Sequence, residues 1–175
     1  IGVAKDNLPK RGIAPGLMIS MAEIEVDLET GKYEILDYVG VADCGTIIHP
    51  QGLSQQINGG GVWGFGMAAT ERHVYDPQIA LPANLGMYQA KLPTILDVPA
   101  EMPNGAVDIA DPYNPVGGRG VGEPSQGSAV AAITSAIADA LDGHLFNRVP
   151  VTPDMIVNHA TGAEQESKLL ALNTF

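Results

Sequence analysis

Cysteine is nearly absent: Cys44 stands alone in 175 residues. A lone thiol forms no internal disulfide and by itself holds neither zinc nor an iron–sulfur cluster, so any redox clusters must lie on other chains. Charge is scarce as well, at 17% of residues, against about a quarter in an ordinary soluble domain. Scarce charge combined with 21 Gly and 13 Pro predicts a surface covered by a partner subunit or a large cofactor. The plainer alternative is a glycine-rich monomer. Positive charge is the scarcest feature, with 9 Lys and Arg against 20 Asp and Glu and a net charge of -11. That sign excludes a partner held by its nucleic-acid backbone and disfavours anionic membranes. No apolar run approaches the roughly 20 residues of a transmembrane helix, and no secretory signal is visible, so a cytoplasmic location is expected. The four histidines, His49, His73, His144 and His159, fall in no HxxxH or HExxH pattern. No protein-ligated metal is therefore expected.

What is present reads as an α+β fold of hairpins and two main helices. Hydrophobic residues make up 45%, enough for a core. Residues 1–16 are broken by Pro9, Gly12, Pro15 and Gly16. Alternation from Met21 to Leu28, a turn over Glu29–Lys32 and a returning strand over Tyr33–Val39 predict a hairpin. Asp43 to Pro50 should form a loop leading into a helix, with Pro50 in its first turn. Helical spacing then runs to about Glu71 through Leu53, Ile57, Gly60, Gly64 and Met67. Each glycine weakens an isolated helix by up to ~1 kcal/mol relative to alanine, so this helix must form by packing. Residues 72–116, rich in proline, predict short strands and loops. After Gly117-Gly118-Arg119-Gly120-Val121-Gly122-Glu123-Pro124, a second helix runs from Ser125 to about Leu141, with Gly143 placed to end it. A short segment follows Pro153, and residues 157–175 form either a docking helix or a disordered tail.

Several motifs carry chemistry. Gly59-Gly60-Gly61-Val62-Trp63-Gly64 fits the dinucleotide fingerprint, but the helical residues before it are the wrong context, and close packing is the more usual work of such glycines. Asp43 is best read as a turn or cap residue. Gln56 lies among glycines, which leaves two readings open: solvent exposure or contact with a bulky neighbour. Glu123 follows glycines whose amides are accessible and precedes a helix whose positive end favours a carboxylate, while burial would oppose the charge. Two readings stay open here too: a tuned general base, or an ordinary first-turn acid.

The ordered set of motifs narrows these choices. The string Gly117–Pro124, the alanine-rich helix and Val149-Pro150-Val151-Thr152-Pro153 resemble the end of the molybdenum-binding subunit of the xanthine oxidase family. These are the molybdenum hydroxylases, among them aldehyde oxidoreductases and N-heterocycle dehydrogenases. Ala42-Asp43-Cys44-Gly45, His49-Pro50, Gln56-Ile57-Asn58-Gly59-Gly60, Gly64-Phe65-Gly66, Glu71, Tyr88, Leu92-Pro93 and Asp97-Val98-Pro99 match in order, as does the hairpin.

The resemblance implies that residues 1–175 are the C-terminal portion of a molybdenum-cofactor-binding domain that partner chains complete. It implies that Glu123 is the catalytic general base and that Gln56, Gly59, Gly60, Gly120 and Gly122 face a molybdenum–pterin cofactor, in some members a dinucleotide form. The metal is then held by the pterin, not by side chains here. The implied reaction is oxidative hydroxylation of an electron-poor carbon in an N-heteroaromatic or aldehyde. The implied partners are another molybdenum-binding chain, an iron–sulfur subunit and, in some members, an FAD subunit. Two alternatives remain: a branch of the family with reductive chemistry, and a non-catalytic interaction module. The sequence departs from the family pattern at Arg119, where lysine is common, and in the third glycine of 59–61.

Overall fold

The computed structural model describes residues 1–3, 15–76 and 78–165. The predicted hairpin is present. Strand β1, Leu17–Val26, pairs antiparallel with β2, Tyr33–Asp43, in a register running from Leu17 opposite Asp43 to Val26 opposite Tyr33. The first strand starts earlier than its sequence period suggests, because Met18 and Ser20 continue the inward alternation. It ends before Leu28, because the Asp27 carboxylate accepts the Glu29 N–H at 2.9 Å and the Thr30 hydroxyl at 2.7 Å and so forms the turn.

A register shift between Glu23 and Ile24 leaves Leu36 as an extra residue in β2. This bulge resets the alternation, so that Tyr33 and Ile35 face inward before it and Tyr38, Gly40 and Ala42 after it. A short third strand, β3 (Asn104–Val107), runs parallel to β2 and gives the order β1-β2-β3.

One face of this sheet carries two helices, α1 (Pro50–Ala69) and α3 (Gly122–Ala140). Between β2 and α3 the chain makes a brief helix, α2 (Met87–Ala90), and a 3-10 turn at Ile95–Asp97; the rest of 72–116 is mostly loop. A last helix, α4 (Pro153–Thr161), is closed by Gly162 at φ 71. Leu169 to Leu172 lie outside the described residues.

The core forms where these layers meet, from Tyr38, Phe65, Ile133, Ile137, Leu141 and Ile156. Tyr38 meets Phe65 edge-on at 5.0 Å. Its hydroxyl hydrogen-bonds Ser20 at 2.8 Å, and Ser20 bonds Ser128 on α3 at 2.8 Å, so the buried phenol is satisfied. Ala129, Ile133 and Ile137 are buried at the predicted four-residue steps.

Glycine permits the close approach of the two long helices. A Cβ on Gly60 would collide with the Ser125 hydroxyl, and one on Gly64 with the Ala129 methyl. Both glycines sit on the stripe of α1 that faces α3, so packing, not propensity, supports this helix. The fingerprint-like run 59–64 lies wholly inside α1.

Candidate cofactor-facing site

His49 starts α1. Its Nδ1 accepts the Gly52 N–H at 2.7 Å, and Pro50 takes the first helical position, where no N–H is needed. No cap was expected at His49 from the sequence; the signal for it was its place directly before proline. Two turns along, Gln56 points out of the helix and is exposed. Gly59, on the same outer stripe, has nothing within 4 Å of where a Cβ would stand. Gly60 is turned inward and buried against Ser125, and that contact alone accounts for its being glycine.

Helix α3 begins at Gly122, earlier than expected, which places Glu123 inside its first turn. Pro124 is tolerated there because first-turn N–H groups have no intrahelical partner to lose. Val121 at the cap offers no side-chain hydrogen bond, and among the described residues no side chain caps this helix end. Glu123 is exposed. Gly122 and Gln56 are neighbours: a Cβ built on Gly122 would stand 3.9 Å from the Gln56 amide nitrogen. Gly120 is exposed and open in the direction of its missing side chain. Among the described residues, neither Gln56 nor Glu123 has a side-chain hydrogen-bond partner.

The loop before α3 is tied to the loop before α1. Gly45 and Gly118 form an antiparallel bridge, and the Gly117 carbonyl accepts the N–H groups of Thr46 and Asp111, each at 2.8 Å. Gly45 at φ 72 touches the Gly117 carbonyl so closely that no side chain fits. Arg119 crosses the junction. Its Nε donates to Asp111 at 2.8 Å and its Nη1 to Asp43 at 3.1 Å. Asp111 is 2% exposed. The Tyr113 N–H and the Arg119 guanidinium hold its carboxyl below the usual range, against the opposing effect of burial. Asp43 was expected to serve a turn; it does accept the Gly45 N–H, but at 3.5 Å, and its closer partner is Arg119. Asp111 was missed altogether, since nothing local marks a buried ion-pair partner inside a proline-rich loop.

Glu71 lies apart from this junction. It packs against Gly66 and lines an open cleft of about 1250 Å³ with Trp63, Met67, Arg72, Tyr75 and Gln126. Burial pushes its carboxyl upward. The cleft reaches the junction's edge, because Trp63 continues the outer stripe of Gln56 and Gly59 and Gln126 follows Glu123 on α3. Among the described residues, no group of three or more His, Cys, Asp or Glu could hold a metal ion, and no helix is long and apolar enough to cross a membrane.

Comparison with known proteins decides the family. The profile of the family described as "Molybdopterin cofactor-binding domain" matches residues 6–99. The chain belongs to the molybdopterin cofactor-binding family of molybdenum hydroxylases. It is 32% identical to the 6-hydroxypseudooxynicotine dehydrogenase complex subunit gamma of Paenarthrobacter nicotinovorans, over 86% of this chain and 19% of that one. It is 30% identical to a putative xanthine dehydrogenase molybdenum-binding subunit of Escherichia coli, over 79% of this chain and 18% of the relative. The crystal structure of quinoline 2-oxidoreductase from Pseudomonas putida 86 superposes with a TM-score of 0.72 at 29% identity, covering 81% of this chain and 18% of that one. The chain thus spans about a fifth of the length of these relatives. The α+β expectation holds, and the family named from the motifs is the family found. The matched stretch contains Gln56, Gly59 and Gly60 and ends before Gly120, Gly122 and Glu123.

Proposed function

We propose that this chain forms one wall of the molybdenum–pterin site of an oxidoreductase, with Glu123 as its general base. The observation that carries the reading is the proximity of Gln56 to Gly122. Two motifs far apart in sequence converge at the open end of α3, beside an outward stripe with glycine where bulk would intrude. The residues fit a flat, polar cofactor. Gly59 and Gly120 leave open space, and the Gln56 amide offers both a donor and an acceptor with no competing partner among the described residues. When bound, the molybdenum–pterin group supplies the two-electron redox chemistry. Iron–sulfur clusters and FAD, which would lie on other subunits, would supply the onward electron transfer.

The chain's own residues then have distinct work. Gln56 orients the pterin through its amide, and Gly59, Gly120 and Gly122 let the backbone approach it. A Glu123 carboxylate oxygen accepts the proton that the attacking oxygen loses as the new carbon–oxygen bond forms. Its place in the first turn of α3 limits its motion. The substrates in this reading are N-heteroaromatics or aldehydes with an electron-poor carbon.

The surface supports the reading of a partner chain. Leu17, Ile19, Met21 and Val41 are at least 40% exposed and share the sheet face turned away from the helices. An apolar face of that kind suits contact with another molybdenum-binding chain better than it suits water.

The test is Glu123→Gln in the assembled enzyme, read by single-turnover reduction with substrate beside metal analysis. Reduction should slow by at least about 10²-fold with molybdenum content near wild type. Near-normal reduction in the fully metallated variant would refute the base assignment.

A further inference from the structure

We propose that Arg119 is a positioning residue that sets the placement of Glu123 by locking the glycine loop to the β2–α1 junction; the functional half of this inference rests on reading Glu123 as the base. Among the described residues, Arg119 is the last of the 117–123 segment whose side chain hydrogen-bonds another element. Beyond it come Gly120, which is open on its side-chain face, Val121 and then the start of α3. A segment with glycines at 117, 118, 120 and 122 has little conformational preference of its own. Something outside must hold it.

The guanidinium does so from two sides. Nη1 reaches Asp43, at the end of the strand whose following loop opens the Gln56 helix. Nε reaches Asp111, which is buried and whose other oxygen takes the Tyr113 N–H at 2.7 Å. The Arg119 main-chain N–H also bonds the Cys44 carbonyl. One residue therefore joins the β2–α1 junction, from which the Gln56 helix departs, to the loop that leads into Glu123. The planar fork of arginine matches two carboxylates in fixed directions, which a single ammonium group does not. Because catalysis is steep in geometry, a displacement of about 1 Å at the base can cost on the order of 10²-fold in rate without loss of substrate affinity.

The experiment uses the assembled holoenzyme with Arg119→Lys, Arg119→Met and Asp43→Asn. The milder Arg119→Lys and Asp43→Asn leave a charge partner for buried Asp111, so they decide the question even if Arg119→Met does not assemble. Two readouts are taken: hydrogen exchange of the Thr46 and Asp111 amides, and substrate-driven reduction resolved into kcat and KM. Exchange at those amides should rise about tenfold or more, while amides in the interiors of α1 and α3 stay as in wild type. The value of kcat should fall by about tenfold or more with KM changed less than about twofold, and Arg119→Lys should retain more activity than Arg119→Met. Unchanged amide exchange overturns the proposal, whatever happens to activity. Faster exchange with wild-type kcat overturns it as well, provided that Glu123→Gln in the same complex is slow. If Glu123→Gln is itself fully active, the base assignment fails, and the exchange data alone decide whether Arg119 holds the loop.

Discussion

The hydroxyl of Ser125 on α3 occupies the space where a side chain at Gly60 on α1 would begin. The two long helices that carry Gln56 and Glu123 are thereby set at a fixed separation. A valine at Gly60 must push α3 away or distort its own helix. Overpacking of this kind costs about 1–3 kcal/mol, offset by at most ~1 kcal/mol from relief of glycine's poor helix propensity. Gly60→Val should therefore lower the denaturation midpoint of the assembled protein. The loss should be smaller in a Ser125→Gly background, where the opposing hydroxyl is gone, and a double-mutant cycle measures that difference. Equal losses in both backgrounds would show that the contact with Ser125 is not the cause.

Gly59 makes the opposite prediction. Its Cβ direction is empty, so Gly59→Ala meets no protein atom and removes a residue unfavourable in helices. Before cofactor loading, the variant should be as stable as wild type or more stable by up to ~1 kcal/mol. If the outer stripe faces the pterin, the loaded enzyme should nevertheless hold less of it, because a methyl group stands where the backbone must approach. Pterin content after release and fluorescence detection checks this. Full pterin content in a bulkier Gly59→Val variant would mean that the stripe faces something else.

These two glycines also mark what the sequence could and could not disclose. Both lie in one glycine run; helical spacing set Gly60 on the periodic stripe with Ile57 and Gly64, while the family resemblance turned both toward the pterin. Which of them turns inward depended on where α3 docks, a long-range fact. The hairpin was legible because alternation of Ala22, Ile24 and Val26 is local; its bulge at Leu36 was not, since a bulge shows only when two strands are aligned. The burial of Ile133 and Ile137 was legible at steps of four. The ion pairs of Arg119 were invisible, because Asp43 is distant in sequence and Asp111, eight residues before Arg119, sits in an irregular loop where no periodicity marks it. Family motifs drew attention to Glu123 and Gln56; only the fold shows Gln56 beside Gly122, at the helix start that holds Glu123.

A stack of two imidazoles gives a pH prediction near neutrality. His144 lies 3.8 Å from His159 on α4, and Phe146 meets it edge-on at 4.6 Å. Burial, and secondly the neighbouring His159, lower the proton affinity of His144. The unfolded chain then takes up a proton near pH 6.5 that the folded chain resists. The associated stability is present above that pH and is lost as pH falls through the folded value below it. Chemical denaturation at pH 7.5 and pH 5.5, values chosen to lie about one unit on either side of that midpoint, should show the loss. His144→Phe keeps an aromatic ring and should flatten this dependence. An unchanged slope would assign the effect to other groups.

Asp111 governs a separate and more acidic window. Its carboxyl is held below the ordinary value first by the Tyr113 N–H and next by Arg119, so the folded state binds its proton less readily than the unfolded chain. Stability from this group is complete above the unfolded carboxylate range, near about pH 4, and is lost as pH falls through the depressed folded value. Asp27 is shifted the same way, chiefly by the Thr30 hydroxyl, so wild-type acid sensitivity is shared between at least these two groups. Asp111→Asn removes one titration and leaves the other. The variant will be less stable at neutral pH, because an amide is a weaker partner for the guanidinium. The deciding quantity is the slope of stability against pH below about pH 4, which should be shallower in Asp111→Asn than in wild type. Asp27→Asn should reduce the slope independently, and the two reductions should add, since the hairpin turn and the Arg119 junction share no partners. A wild-type slope in the Asp111→Asn protein would mean that the buried carboxyl does not titrate in this range, and that the Arg119 junction is held by something other than its charge.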